Sequence, residues 1–398
     1  MHIALVADAY PPMKTSGAVQ IRDLVAEFLN QGHQVTVLLP DASLDKPWSL
    51  QCEGNLEILR LRAMETKDVS YSRRALAEHL LSSFMYRNLR KSPLKDRQYD
   101  GIVWYSPSIF FGGLVAKLKQ ASGCRSYLIL RDIFPEWAVD MGLIGRGMIY
   151  RYFKGKEKFQ YRQADVIGVQ TPSNLDYFRQ EHDDLPGRVE VLNNWLAPQP
   201  GGHCSIDIAR TPLAGRRIFV YTGNIGIAQG MDILIRLAES YTNDTSVGFL
   251  FVGRGTAVAR LRKEVADLKL GNVLFQDEIP PEEIAPLLHQ CHVGLIALDP
   301  RHRNDNIPGK FLAYMQAGLP VLATINPGND LEKMIVEHQV GEVISDNSVD
   351  SLRQKADILL ALSLPDTALS QRCKDLASNT FSPSAAVSQI ADALRASS

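Results

Sequence analysis

The chain has 398 residues, 43 basic against 44 acidic side chains, a formal net charge of −1 and 45% hydrophobic residues. At roughly 100–200 residues per domain this predicts two domains, each able to bury a core without a disulfide or metal staple. Balanced charge argues against a whole-chain grip on nucleic acid, which usually needs a basic domain.

Residues 3–7 (Ile-Ala-Leu-Val-Ala) form a continuous apolar run and read as a buried strand. The chain leaves it through Asp8, Ala9, Tyr10, Pro11 and Pro12, and Ser16-Gly17 precedes a helix marked by Ile21, Leu24, Val25, Phe28 and Leu29. That turn is a place where backbone can meet a phosphate or a sugar. Gly32 supplies the left-handed residue that ends the helix, and 35–39 is the next strand. The runs 102–105, 127–130 and 166–169 continue the alternation, which predicts βαβ units and a parallel sheet. Arg131, Asp132, Glu136 and Trp137 follow the 127–130 strand, and charge there is costly unless it pairs or faces a cleft.

Two stretches of this half are basic and apolar together. One holds Arg73, Arg74, Arg87, Arg90, Lys91, Lys95 and Arg97 around Leu80, Leu81, Phe84 and Met85. The other, 144–162, has Arg146, Arg151, Lys154, Lys156, Lys158 and Arg162 against Glu157, interleaved with five aromatic residues. Such patterns are solvated helix faces or surfaces for anionic lipid.

Pro198, Pro200, Gly201 and Gly202 interrupt the rhythm, and 196–216 reads as a linker between a first domain, 1–195, and a second, 217–382. A second strand series follows at 218–221, 248–252, 273–275, 293–298 and 320–324. The 218–221 strand runs into a glycine-rich turn with Gly223, Asn224, Gly226, Gln229 and Gly230, which can offer backbone N–H groups to a phosphate at a helix start. Its spacing is neither G-x-G-x-x-G nor Walker A. Gly253-Arg254-Gly255 makes a similar turn carrying a cation, and Asp305 and Lys310 flank a helix start at Pro308-Gly309, an arrangement suited to a diphosphate. Ser382-Pro383 begins a last helix striped by Val387, Ile390 and Leu394, which either closes the second domain or returns to the first. Split at residue 198, charge is 25 basic and 22 acidic before it and 18 and 22 after it.

Five scattered cysteines without a C-x-x-C pair fit a reducing cytoplasm, not a disulfide framework or zinc site. No signal-peptide pattern opens the chain, and no stretch approaches the ~20 apolar residues of a membrane span. Asp-x-Asp, G-x-S-x-G and H-E-x-x-H are all missing, so no metal clamp or serine nucleophile is predicted.

The segments ADAYPP…SGAVQIRDL, LRDIFPEW, LNNW, YTGNIGIAQGMD, FVGRGT and IPGKFLAYMQAGLPVLA together resemble the family 4 glycosyltransferases, over essentially the whole chain. The nearest subgroup is similar to bacterial surface-polysaccharide transferases of the N-acetyl-L-fucosamine (WbuB) type. The resemblance implies a GT-B α/β fold: two Rossmann-like, doubly wound domains facing a cleft, with the helix of 383–398 returning to the first. It implies a retaining, metal-independent enzyme, without cofactor, moving a sugar from a UDP-sugar to an undecaprenyl-diphosphate-linked glycan. Such an enzyme would be cytoplasmic and peripheral on the anionic inner leaflet, in O-antigen or capsule-type synthesis, and would bind no nucleic acid.

By the same resemblance Asp305, Lys310, Arg131 and Arg254 carry catalysis, and Ser16, Gly17, Gly223, Asn224, Gly226, Gln229, Gly230, Gly253, Ile279, Pro308 and Gly309 bind the donor. Tyr10, Asp132, Glu136 and Trp137 lie on the acceptor side. Many members hold the diphosphate with G-R…K-G; Asn224 and Gln229 stand there here, so charge must come from Lys310, Arg254 and Arg131. The family's E-x7-E pair falls on Asp305 and Ala313, which keeps the acid near the donor sugar and loses the ribose contact. The rival readings are a UDP-sugar 2-epimerase and a non-catalytic nucleotide-binding member.

Overall fold

In the computed structural model the chain divides into two compact units, Met1–Asn194 with Pro383–Ser398, and Trp195–Ser382. The structure describes residues 1–13, 15–66, 69–182, 184–198, 201–226, 229–299, 307–362 and 366–396.

The first unit runs β1 (His2–Val6), α1 (Ser16–Asn30), β2 (Gln34–Asp41), β3 (Trp48–Glu53), β4 (Leu56–Arg62), α2 (Tyr71–Leu89), β5 (Gly101–Tyr105), α3 (Gly112–Ser122), β6 (Arg125–Ile129), α4 (Glu136–Asp140), α5 (Met148–Tyr161), β7 (Val166–Val169), α6 (Pro172–Glu181) and β8 (Arg188–Val191). Its sheet has the order β3-β4-β2-β1-β5-β6-β7-β8, parallel except for the antiparallel β3–β4 pair at one edge. The central strands are buried on both faces, as parallel sheets require, and β5 is buried along its whole length. Ser16 and Gly17 open α1 and do not precede it; Thr15 caps the helix by accepting the Ala18 N–H at 3.3 Å.

The second unit runs β9 (Arg217–Thr222), α7 (Asp232–Ser240), β10 (Val247–Val252), α8 (Val258–Asp267), β11 (Val273–Gln276), α9 (Pro281–Leu288), β12 (Val293–Ala297), α10 (Gly309–Ala317), β13 (Val321–Thr324), α11 (Asp330–Glu337), β14 (Gly341–Ile344), α12 (Val349–Ala361) and α13 (Thr367–Thr380). Its six strands are all parallel in the order β11-β10-β9-β12-β13-β14, the doubly wound Rossmann arrangement.

Of the expected linker, Pro198, Gly201 and Gly202 are exposed, 199 and 200 lie outside the described residues, and the part from 206 to 213 packs on the second unit. Ile206, Ile208 and Leu213 are buried in its core, and Gln290 holds the segment by accepting the Ile208 N–H at 2.9 Å and donating to the Ile206 carbonyl at 3.0 Å. The proline and glycine signal thus marks only the first part of the segment, and buried apolar side chains hold the rest. The last helix, α14 (Pro383–Arg395), joins the first unit: Gln389 donates to Glu190 and to the Val191 carbonyl, each at 2.9 Å, and Leu394 packs on Gly101.

Candidate active site

Doubly wound sheets bind ligands outside the carboxyl ends of their strands, where the strand order reverses. In the second unit that point lies between β9 and β12, and in the first between β1 and β5.

At the β9 end, the turn is zipped to the next one by backbone. The Gly223 N–H donates to the Val252 carbonyl at 2.9 Å, Ile225 to Arg254 at 2.8 Å, and Ala257 back to Ile225 at 3.1 Å. Gly253 and Gly255 permit this contact: a Cβ on either would overlap the carbonyl oxygen of Gly223 or of Ile225. Their role in the fold is close approach between two turns. Gly230, at the far end of the turn, lies against the backbone of Leu298 and Asp299 beyond β12. The switch point is thereby closed on both sides.

Asn224 and Gln229 interact with each other. The Gln229 carboxamide oxygen accepts the Gly226 N–H at 3.0 Å and the Asn224 amide at 3.2 Å, and the Tyr221 hydroxyl donates to the Asn224 carbonyl at 2.8 Å. These side chains set the shape of the turn. Ile227 and Ala228, between them, lie outside the described residues.

Lys310 stands in the first turn of α10, whose cap, Pro308, offers no side-chain acceptor to the helix N–H groups. Its ammonium lies 4.7 Å from the centroid of the Tyr221 ring. Its Cε lies 3.9 Å from where a Cβ on Gly223 would stand. Burial pulls its pKa down to about 8, and among the described residues no carboxylate pairs with it. A cation beside a helix N-terminus and a glycine turn is an arrangement that can receive an anion. Tyr314 supports it from below: its hydroxyl accepts the Thr222 N–H at 3.2 Å and lies 3.3 Å from the Leu295 carbonyl, tying β9 to β12.

Arg254 lies in the turn after β10. Its side chain is exposed and pairs with Glu278 at 2.8 Å, so its charge is already partnered. Arg254→Ala should therefore change stability by no more than about 0.5 kcal/mol. Donor turnover in steady-state assays should fall less than about tenfold, the size of losing a screened surface charge. Ile279 packs partly buried against the core, as does Ala313. Asp305 lies outside the described residues.

In the first unit the strand ends carry a chain of buried polar groups. Tyr105 donates to Gln20, Gln20 to Asn194 at 3.1 Å, Asn194 to Gln170 at 3.3 Å, and Gln170 to the Arg131 carbonyl at 3.0 Å. Arg131 is itself buried and donates to the Leu192 carbonyl at 3.1 Å, which ties the end of β6 to the end of β8. Desolvation lowers its pKa, opposed by the adjacent Tyr105, Tyr127 and Asp132. Gly17 lies against the Tyr105 ring, and Tyr10 is buried nearby in sequence, with its phenol pKa raised by desolvation.

Asp132 and Trp137 are half-buried, and Glu136 is anchored by the Tyr150 hydroxyl at 2.8 Å and the Lys154 ammonium at 2.9 Å. Lys154 also meets Glu157 at 2.7 Å, the Tyr177 hydroxyl at 2.8 Å and His182 at 3.4 Å. Burial raises Glu157 to about 7 and lowers His182 to about 4. This cluster was not legible in the sequence, nor were Tyr221, Tyr314 and Glu278, because their contacts with Glu136, Lys310, β9 and Arg254 join residues at least 14 apart in the chain.

Residues 216–361 match the family described as Glycosyl transferases group 1. The chain is 25% identical over 252 residues to WbjE of Pseudomonas aeruginosa, named as a glycosyltransferase, and that match spans 62% of each protein, under two thirds of the relative. It is 23% identical over 391 residues to WcaI of Escherichia coli K12, named as a glycosyl transferase of colanic acid biosynthesis, across 92% of this chain and 93% of WcaI. An Escherichia coli trehalose-6-phosphate structure bound with UDP-2-fluoro glucose aligns at a TM-score of 0.76 and 12% identity over 100% of both chains. The fold is GT-B, and the named relatives to which the chain is similar are glycosyltransferases.

Proposed function

We propose that this chain is a glycosyltransferase that moves a sugar from a UDP-sugar to a lipid-linked glycan in surface-polysaccharide assembly, with retention of configuration and without a metal. One observation carries the reading: Lys310, desolvated and without a carboxylate among the described residues, sits beside the uncapped start of α10 and the turn at Gly223. As UDP departs, negative charge builds on the diphosphate, and prepositioned donors stabilise it more in the transition state than before it. The choice of UDP is supported by the structural relative bound with UDP-2-fluoro glucose. The choice of pathway is supported by WcaI, named for colanic acid biosynthesis.

Asp305 is assigned to the transferred sugar, four residues before α10, and Asp132, Glu136 and Trp137 to the acceptor. Retention is assigned to front-face attack by the acceptor, with no side-chain nucleophile. N-acetyl-L-fucosamine is the first donor sugar to test, since the G-N-x-G…Q-G turn is similar to that subgroup. The acceptor is assigned as an undecaprenyl-diphosphate glycan, met at the inner face of the plasma membrane. No described helix is long and apolar enough to cross a membrane, so contact with the bilayer would be peripheral.

A thermal-shift screen tests the donor reading. UDP at about 100 times its Kd stabilises by about 2.7 kcal/mol, which raises Tm by roughly 5–10 °C for a unit of this size. The absence of any shift with UDP or a panel of UDP-sugars at millimolar concentration would sink it. The Asn224–Gln229 bond favours one alternative, a nucleotide-binding member without turnover. Donor hydrolysis that disappears in Asp305→Asn excludes that alternative.

A further inference from the structure

Asn326, two residues beyond β13, is 7% exposed, and neither the oxygen nor the nitrogen of its carboxamide has a hydrogen-bond partner among the described residues. Other buried amides of the second unit are engaged. Asn272 donates to the Ala238 carbonyl at 2.8 Å, and Asn329 caps α11 by accepting the Leu331 N–H at 2.9 Å. Burying an amide without a partner costs more than filling the same space with leucine. Packing alone therefore gives no reason for asparagine here, whereas a ligand that offers both an acceptor and a donor does.

The sheet sets this amide beside the anion site. Ala297 of β12 is in register with Thr324 of β13, so Asp299 and Asn326, each two residues further on, leave the sheet side by side. The Asp299 backbone lies against Gly230, the last glycine of the turn that follows β9. Ala323 and Ile325 pack into the core that holds Phe311 and Met315, while Leu322 packs into the core that holds Tyr221. Side chains alternate along a strand, which turns Asn326 toward the face of Tyr221. The Lys310 ammonium lies 4.7 Å from the centroid of that ring. With neighbouring strands about 4.8 Å apart, Asn326 stands roughly 10 Å across the sheet from β9.

The chemistry of this end of the sheet selects among the parts of a UDP-sugar. Asp299, Asn326, Asn329 and Asp330 are all buried there, and Asp330 and Glu332 stand in the first turn of α11. Carboxylates already at the positive end of the helix dipole repel a phosphate. A flat uracil ring needs apolar contact, which Ile279 offers on the opposite side of the glycine turn, after β11. Neutral hydroxyl or acetamido groups remain, and these pair with an amide in both directions.

We propose that Asn326 is a specificity-determining residue of the sugar-donor site, whose carboxamide donates one hydrogen bond to the transferred sugar and accepts one from it. The assignment rests on the UDP-sugar reading and deepens it. Lys310 and the turn at Gly223 meet what all UDP-sugars share, and Asn326 reads what distinguishes them. A site that pairs with a hydroxyl rejects the analogue that lacks it or points it elsewhere, because its own buried groups are then left unpaired.

Calorimetry and donor-hydrolysis assays on the full chain test this with UDP, UDP-glucose, UDP-galactose, UDP-N-acetylglucosamine, UDP-N-acetylgalactosamine and UDP-N-acetyl-L-fucosamine. In Asn326→Leu, kcat/KM for the UDP-sugar that wild type prefers should fall about 10–100-fold, the size of losing two hydrogen bonds. The preference among the sugars should shrink by the same factor, while the Kd for UDP stays unchanged. Ligand-free Tm should match or exceed that of wild type, since a buried amide without a partner has been removed. Asn326→Ala adds no bulk and should lose the same preference, which separates lost hydrogen bonds from obstruction by leucine.

Undiminished sugar preference in Asn326→Ala overturns the assignment, as does equal use of all five sugars by wild type. A loss of UDP affinity as large as the loss for the preferred UDP-sugar moves the contact to the nucleoside diphosphate and overturns it too. Wild type that binds neither UDP nor any UDP-sugar fails the transfer reading itself, and Asn326 falls with it. Wild type that prefers one sugar, beside variants that prefer it equally, fails Asn326 alone.

Discussion

Lys310→Ala is expected to lower donor turnover by about 10²–10³, the size of removing one electrostatic donor aimed at charge that develops in the transition state. The loss should fall on kcat more than on KM, because the lysine faces a diphosphate whose charge grows as the glycosidic bond breaks. Its apo environment supports a second readout. Folding carries Lys310 from an ordinary lysine pKa near 10.4 down to about 8, so between those values the unfolded chain holds more protons than the native one. The penalty of burying this cation is therefore fully present below pH 8 and relieved as pH rises toward 10. Lys310→Met should raise the Tm of the ligand-free protein at pH 7 while abolishing the shift produced by UDP.

Diphosphate binding should reverse the depression and draw a proton onto Lys310. Calorimetry of UDP binding at pH 8–8.5, in buffers of different ionisation enthalpy, should report proton uptake in wild type and none in Lys310→Met. Wild-type turnover in Lys310→Ala, or proton uptake unaffected by its loss, would falsify the assignment.

What was legible in the sequence were features that neighbours in the chain create. The buried strands announced themselves as apolar runs, and the switch-point turns as glycines between strand and helix. The helix start at Pro308-Gly309, with Lys310 in its first turn, was legible too. The edge pair β3 and β4 was not, because β3 lies at the border of the sheet and is mostly exposed, so it carries no apolar run. Strands β8 and β14 are four residues long and largely half-buried, too short for periodicity to register.

The polar residues divide along the same line. Arg131 drew notice as a charge after a strand, while its bond to Leu192 crosses 61 residues and left no mark among its neighbours in the chain. Arg254 stood alone on paper, while Glu278 came to it by the packing of β10 beside β11. The basic patterns of α2 and α5 looked alike in sequence, and only the direction in which each helix turns its apolar residues separates them, inward at Leu81 and Met85 and outward at Met148 and Ile149.

Gly253→Ala should be the most damaging single methyl group in the second unit. Cβ at this position would overlap the Gly223 carbonyl oxygen and stand 2.9 Å from its carbon, and φ is +152°. The obstacle is backbone on both sides, so no rotamer change relieves it, and the two turns must separate. Overpacking and forced backbone strain of this kind cost on the order of 3 kcal/mol, or roughly 6–12 °C in the Tm of a unit of this size.

Separation should also carry off the donor response. The Gly223 N–H bond to Val252 and the Ile225 bond to Arg254 would stretch together, moving the turn away from the Lys310 ammonium. Gly309→Ala is the matched control, since a Cβ there meets nothing within 4 Å among the described residues and the residue lies in a helix. Alanine keeps the N–H that a phosphate would use and favours the helix by up to about 1 kcal/mol. Thermal melts with and without UDP should thus show Gly253→Ala low and unresponsive, and Gly309→Ala at or above wild type and responsive. If Gly253→Ala melts and binds as wild type does, the two turns are not the interlocked unit that holds Lys310 against its anion.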